Sequence, residues 1–91
     1  MATVLDNDEV DRRVPDDWER DRDEIVRTYE FDDYLDAAAF LGELAEIAEE
    51  ESHHPEMMLR WGEVEVRFTT HDAGGITKKD IRLAELCDDE Y

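Results

Sequence analysis

One cysteine, two prolines, four glycines and two lysines are all that this chain of 91 residues contains of those types. With Cys87 alone, no intrachain disulfide can form, and four thiolates from one chain cannot gather round a metal. The expected compartment is a reducing one. No apolar run exceeds Ala37 to Leu41, which is far too short to cross a bilayer. No basic region precedes an apolar stretch near Met1, so no export signal is read there and the expected location is cytoplasmic. The glycines form no strand-to-helix nucleotide fingerprint, and Gly74-Gly75 is expected to be a tight loop and not a phosphate cradle. Positive charge is also scarce. Ten basic residues face 28 acidic ones, a net charge of -18. Such a surface repels phosphate backbones and anionic headgroups, so neither nucleic acid nor membrane is an expected partner.

What is present is acid, spread along the whole chain, with only Lys78 and Lys79 as lysines. That pattern is expected of a halophilic protein. At molar salt the screening length falls to about 3 Å, and the self-repulsion of such a surface is suppressed. Hydrophobic residues still make up 41% of the chain, and their spacing is periodic, which argues against an acidic disordered chain. A chain of this length has room for one core, burying about 60 to 65% of its unfolded surface. The break at Val14-Pro15-Asp16-Asp17 divides a flexible acidic segment, residues 1–14, from one domain, residues 15–91.

Ile25, Val26, Tyr29 and Phe31 suit a strand over Glu24 to Phe31, with Trp18 to Arg20 as a short partner. From Asp33 to Glu50, Tyr34, Ala37, Ala38, Leu41, Leu44, Ala45 and Ala48 recur at steps of three and four, predicting a helix capped by Asp33 and Asp36. It ends near Ser52, because Pro55 disfavours helical geometry at His54. Met57, Leu59 and Trp61 share one strand face, and Trp61 is expected to pack in the core or at an edge. Val64, Val66 and Phe68 then alternate with charged residues, with Gly62 as the turn. Thr77 and Asp80 form a capping box that opens a last helix, on which Cys87 packs inward with Ile81 and Ala84. The expected fold is α+β: a two-layer domain with a four-stranded antiparallel sheet in ββαββα order and both helices on one face.

The three histidines fall at element ends. His53 and His54 follow the long helix, and His71 follows the last strand. If Gly62 is the turn, cross-strand partners sum to about 124 or 125, which sets His54 opposite Thr70 or His71. Imidazole both gives and takes a proton near neutral pH, so three rings at one mouth invite acid-base chemistry. An open three-histidine metal site is the alternative, and the adjacency of His53 and His54 weighs against it, since neighbours in extended backbone point apart. The acidic runs at Glu49 to Glu51 and Asp88 to Glu90 read as solvated faces. Glu49 alone is set apart, by its position near the histidines.

Glu49-Glu50-Glu51-Ser52-His53-His54-Pro55-Glu56, Thr69-Thr70-His71-Asp72-Ala73-Gly74-Gly75-Ile76-Thr77 and Asp80-Ile81 together resemble the pterin-4a-carbinolamine dehydratase family, over about Trp18 to Leu86. Phe31-Asp32-Asp33-Tyr34 is similar to the family's Phe-x-Asp-Phe entry to its first long helix. The resemblance implies loss of the 4a-hydroxyl from a tetrahydropterin carbinolamine, giving a quinonoid dihydropterin, with the pterin as substrate and no metal or other cofactor. It implies that His53 and His71 transfer protons and that His54 binds pterin and takes part in catalysis. Asp80 is then a supporting carboxylate and Glu49 an acidic residue at the site edge. Pro55 would hold the histidine pair extended, and backbone near Thr69 and Thr70 would meet the pterin edge. Many family members carry Tyr-Asn where this chain has Trp61-Gly62. Members form homodimers or homotetramers, so self-association is implied. Animal members also bind a transcription factor, which leaves a non-catalytic, coactivator-like interaction module as the second implied function; the complete histidine set speaks against it.

Overall fold

A computed structural model of the protein describes residues 3–91. The elements are α1 (Asn7–Arg13), β1 (Glu19–Asp21), β2 (Glu24–Glu30), α2 (Tyr34–Glu51), β3 (Glu56–Arg60), β4 (Glu63–Phe68) and α3 (Lys78–Glu90). The four strands form one antiparallel sheet in the order β1-β2-β4-β3. The α+β architecture and the ββαββα order expected from the sequence are therefore present, with one further helix in front.

That helix corrects the expectation of a flexible segment over residues 1–14. Asp6 Oδ1 accepts from the Glu9 amide at 2.8 Å and caps α1. Val10 enters the core at 1% exposure, and the Leu5 amide donates to Ile76 O at 2.8 Å. Acid in the first turn (Asp8, Glu9) and Arg12 and Arg13 in the last complement the helix dipole. One fully buried valine, with Leu5 and Val14 packed partly against the core, docks the segment, too small a signal to outweigh six surrounding charges on composition alone.

In α2, Asp33 caps the start by accepting from the Leu35 amide, and Ala37, Phe40, Leu44 and Ala48 form the buried stripe at steps of three and four. The sheet's inner face supplies Ile25, Tyr29, Val64, Val66 and Phe68, all fully buried. Ile81, Ala84 and Cys87 of α3 complete the core, as the spacing predicted, joined by Leu83.

Two expectations about the β3–β4 hairpin need correction. Arg60 pairs directly with Glu63, so Trp61 and Gly62 share a two-residue turn, and the register is one or two residues tighter than a turn centred on Gly62 gives. Trp61 sits at the tip of that turn and is 72% exposed, so it packs neither in the core nor along the edge. Among the described residues, no helix is long and apolar enough to cross a membrane.

Candidate active site

The chain leaves α2 through Ser52, which adopts left-handed backbone at φ 53°. The Ser52 and His53 amides close the helix end onto Glu49 O and Ala48 O. Pro55 disfavours a further helical turn at His54, and residues 53–55 carry no regular structure before β3 begins. At the same open end of the hairpin, β4 runs into Thr69, Thr70 and His71. Thr70 bridges to Gly75, and the Thr70 carbonyl accepts from Ala73 and Gly74, each at 3.0 Å. Gly74, at φ 82°, allows the chain to turn this tightly. Gly75 lies so close to Val4 that a Cβ there would sit 3.0 Å from a methyl group. The expected tight loop is thus present.

These two chain segments enclose a cavity of about 260 Å³, lined by His53, His54 and His71 together with Thr69 and Thr70; Ser52, Asp72 and Lys79 complete its rim. Pairing stops at Glu56 and Arg67, so the histidines converge beyond the sheet ladder, through the helix end and the loop. Each ring is held differently. The His53 side chain is 11% exposed, with Nε2 at 2.6 Å from Asp80 Oδ1, and its ring lies parallel to Phe68 at 6.1 Å between centroids and 5° between planes. His54 is exposed and shares a 2.6 Å hydrogen bond, through Nε2, with Glu49 Oε1. His71 is exposed and forms no side-chain hydrogen bond among the described residues.

Asp80 is fully buried. Its Oδ2 accepts from the Thr70 hydroxyl at 2.8 Å and from the Thr77 amide at 2.9 Å. Burying a carboxylate costs several kcal/mol unless donors replace water, and these donors do so.

Of the residues singled out from sequence, His53, His54, His71, Thr69 and Thr70 line the cavity. Asp80 and Glu49 stand behind it, each bound to one histidine, and Pro55 acts through the backbone. Thr70 differs from expectation. Its amide donates to Gly75 O, its carbonyl accepts within the loop and its hydroxyl is bound to Asp80, so of the two threonines only Thr69 is left to offer backbone to a ligand. Lys79, Asp72 and Ser52 were missed, as was Phe68 beneath His53. Lysine scarcity was the one signal that marked Lys79.

Among the described residues, no three His, Cys, Asp or Glu side chains gather so as to hold a metal ion. A larger cavity, about 600 Å³, lies at the opposite end of the hairpin against Phe31, Trp61 and Arg60. It has no histidine, and Arg60 there is already paired with Glu63 and Glu65. All three histidines line the smaller cavity.

Comparison with known proteins shows the family. A family described as Pterin 4 alpha carbinolamine dehydratase matches residues 3–90. A protein of Haloarcula marismortui, provisionally named a pterin-4-alpha-carbinolamine dehydratase, is 61% identical, covering 93% of this chain and 92% of its own. A protein of Natronomonas pharaonis with the same provisional name is 55% identical over 98% of this chain and 97% of its own. Both organisms are halophilic archaea. Among solved structures, a transcriptional coactivator/pterin dehydratase from Brucella melitensis superposes with a TM-score of 0.88 at 29% identity, covering 97% of this chain and 98% of that one. A pterin dehydratase-like protein identified as a RuBisCO assembly factor in the alpha-carboxysome shares the fold, with a TM-score of 0.65 at 20% identity over 80% of this chain and 84% of that one.

Proposed function

The chain belongs to the pterin 4 alpha carbinolamine dehydratase family of hydro-lyases, and from that premise we propose that it dehydrates a 4a-hydroxytetrahydropterin by histidine acid-base catalysis. One imidazolium protonates the 4a-hydroxyl, the C4a–O bond breaks and water leaves. A second imidazole takes the proton from a ring nitrogen, and the electron pair left behind forms the C=N bond of the quinonoid dihydropterin. No atom changes its net oxidation state beyond the loss of water, so the step needs neither a redox cofactor nor a metal.

The observation that carries this reading is the convergence of His53, His54 and His71 on one cavity, with His53 anchored to a buried carboxylate. The cavity, about 260 Å³, lies just below the usual range of ligand sites, which begins near 300 Å³, and this suits a flat bicyclic ring whose substituent stays outside. The Thr69 backbone meets the pterin edge, and His54 with Glu49 closes the exposed side. The protein acts in the cytoplasm and self-associates as a homodimer or homotetramer.

The test follows the ultraviolet absorbance of freshly generated carbinolamine as it decays, in multimolar KCl, with and without the protein. Acceleration is expected, and His53→Ala and His71→Ala should each slow it by about a hundredfold or more. Normal turnover in both variants would refute the acid-base reading. A coactivator-like interaction module is the second reading, favoured by the coactivator function in the name of the Brucella neighbour. It predicts no acceleration at all.

A further inference from the structure

The capping box of α3 contains more than a helix cap needs. A box requires the Thr77 hydroxyl to accept from the first-turn backbone and the Asp80 carboxylate to accept from the Thr77 amide, and both bonds are present. A surface helix would stop there. Here the box is buried, with Thr77 at 1% and Asp80 at 0% exposure, and it extends in two further directions. Asp80 Oδ1 points away from the helix and meets His53 Nε2 at 2.6 Å. Thr70, from the loop after β4, contacts both members of the box, at 2.8 Å to Thr77 Oγ1 and 2.8 Å to Asp80 Oδ2.

We infer that Thr70 and Thr77 are positioning residues that hold the Asp80 carboxylate in one orientation and thereby fix His53 as its Nε2–H tautomer, leaving Nδ1 as the atom that exchanges the proton. The inference rests on the acid-base reading of the cavity. Its basis is donor counting. An ionised carboxylate only accepts, so each of its contacts must bring a hydrogen. The Thr70 hydroxyl hydrogen is committed to Asp80 Oδ2, and the Thr70–Thr77 contact can then be made only by the Thr77 hydroxyl donating to Thr70 Oγ1. Thr77 Oγ1 keeps its lone pairs for the helix, including the Lys79 amide at 3.3 Å. The hydrogens therefore run in one sense, from Thr77 to Thr70 to Asp80, and the remaining carboxylate oxygen requires a hydrogen on His53 Nε2. Nδ1 of that ring forms no hydrogen bond among the described residues, and the parallel Phe68 ring fixes the plane in which it lies. A histidine whose far nitrogen is held by a carboxylate keeps one tautomer and one ring orientation.

The test reads the tautomer directly. Protein labelled with ¹⁵N-histidine, folded in multimolar KCl, should show His53 with the Nε2–H pattern in long-range ¹H–¹⁵N spectra. Thr77→Val breaks both cap and relay, whereas Thr70→Val removes the donor to Asp80 and the acceptor of the Thr77 hydroxyl but leaves the α3 cap in place. In Thr70→Val the single pattern should give way to a mixture of tautomers, and kcat should fall about tenfold to a hundredfold with KM within twofold. Thr77→Ser should restore both signals lost in Thr77→Val. A wild-type ring protonated on Nδ1 instead, or an unchanged His53 pattern in folded Thr70→Val, would overturn the inference. If His53→Ala turns over normally while the tautomer still depends on Thr70, the acid-base reading fails and the positioning stands.

Discussion

Tyr29 donates its hydroxyl hydrogen to Asp88 Oδ1 across 2.6 Å, in a core where the tyrosine ring is wholly buried. Trp18 Nε1 and Arg27 Nη1 donate to the same oxygen at 3.0 and 2.9 Å, and the Arg27 guanidinium lies 4.4 Å above the Tyr29 ring. Asp88 stands in the last turn of α3, where the helix dipole disfavours an acid and where no basic residue is present. Its place is explained by the three donors, which tie the chain before β1, strand β2 and the end of α3 to one carboxylate. Asp88→Ala leaves all three without an acceptor, so urea denaturation should show a loss of about 2 to 4 kcal/mol. A loss below about 0.5 kcal/mol would show the donors to be satisfied in some other way.

One residue earlier, burial pushes the Cys87 thiol up to about 12, helped by the carboxylates of Asp88 and Glu90. Burial and Asp88 push the Tyr29 hydroxyl in the same direction. The native thiol should therefore resist alkylation at neutral pH, because the thiolate is the reactive form. Above about 9 the unfolded chain gives up the thiol proton while the folded chain keeps it until about 12. The unfolded state then binds fewer protons, so stability falls as pH rises through that window and is intact below it. Denaturation midpoints on either side of about pH 9 check the sign, and a midpoint that rises with pH would contradict it.

How much of this was legible in the sequence differs by element. The α2 stripe and the Val64-Val66-Phe68 alternation were readable because each repeats one period several times. The capping box at Thr77 was equally plain, since it depends on two residues at fixed spacing. The convergence of the histidines could be foreseen only through the hairpin, and the register assumed for it was off, because a turn centred between Trp61 and Gly62 cannot be told from one centred on Gly62 by residue type. Docking of α1 depended on Val10 with a few flanking contacts from Leu5 and Val14, and the involvement of Lys79 and Phe68 on three-dimensional proximity that no periodicity encodes. Composition and spacing left the roles of the individual histidines open, and only the family resemblance implied them.

That same turn carries a steric prediction. A Cβ on Gly62 would stand 3.0 Å from Phe31 O, and the two backbones are held together by the Phe31 amide donating to Gly62 O at 2.8 Å. Neither partner can retreat without stretching that bond. Gly62→Ala should cost about 1 kcal/mol, although alanine usually restricts the unfolded chain and stabilises. A rise in stability, measured by thermal melting in high KCl, would show that the hairpin tip yields more easily than its hydrogen bond implies.

Salt sets two effects against each other. Arg12, Arg13, Arg20, Arg27, Arg60, Arg67 and Arg82 all form ion pairs, and screening weakens these. Apart from the part-buried Arg27–Asp88 pair, such surface pairs are worth about 0 to 1 kcal/mol each, and their loss is limited. The opposing term is the net charge of -18, most of it on carboxylates left without a cation. Crowding is already visible where the neighbouring Glu43 carboxylate, with Asp89, holds Glu90 above its ordinary range. As the screening length shrinks from about 10 Å at 0.1 M to about 3 Å at 1 M, repulsion between separate carboxylates is removed first, while pairs in contact keep part of their attraction. Relief of repulsion therefore wins, and a gain of about 2 kcal/mol would raise Tm by about 10 °C in a domain of this size. Melting curves in increasing KCl should show that rise, and replacing KCl with sucrose should not reproduce it in full. A Tm that stays level from dilute buffer to multimolar KCl would mean that the acidic surface imposes no electrostatic strain on this fold.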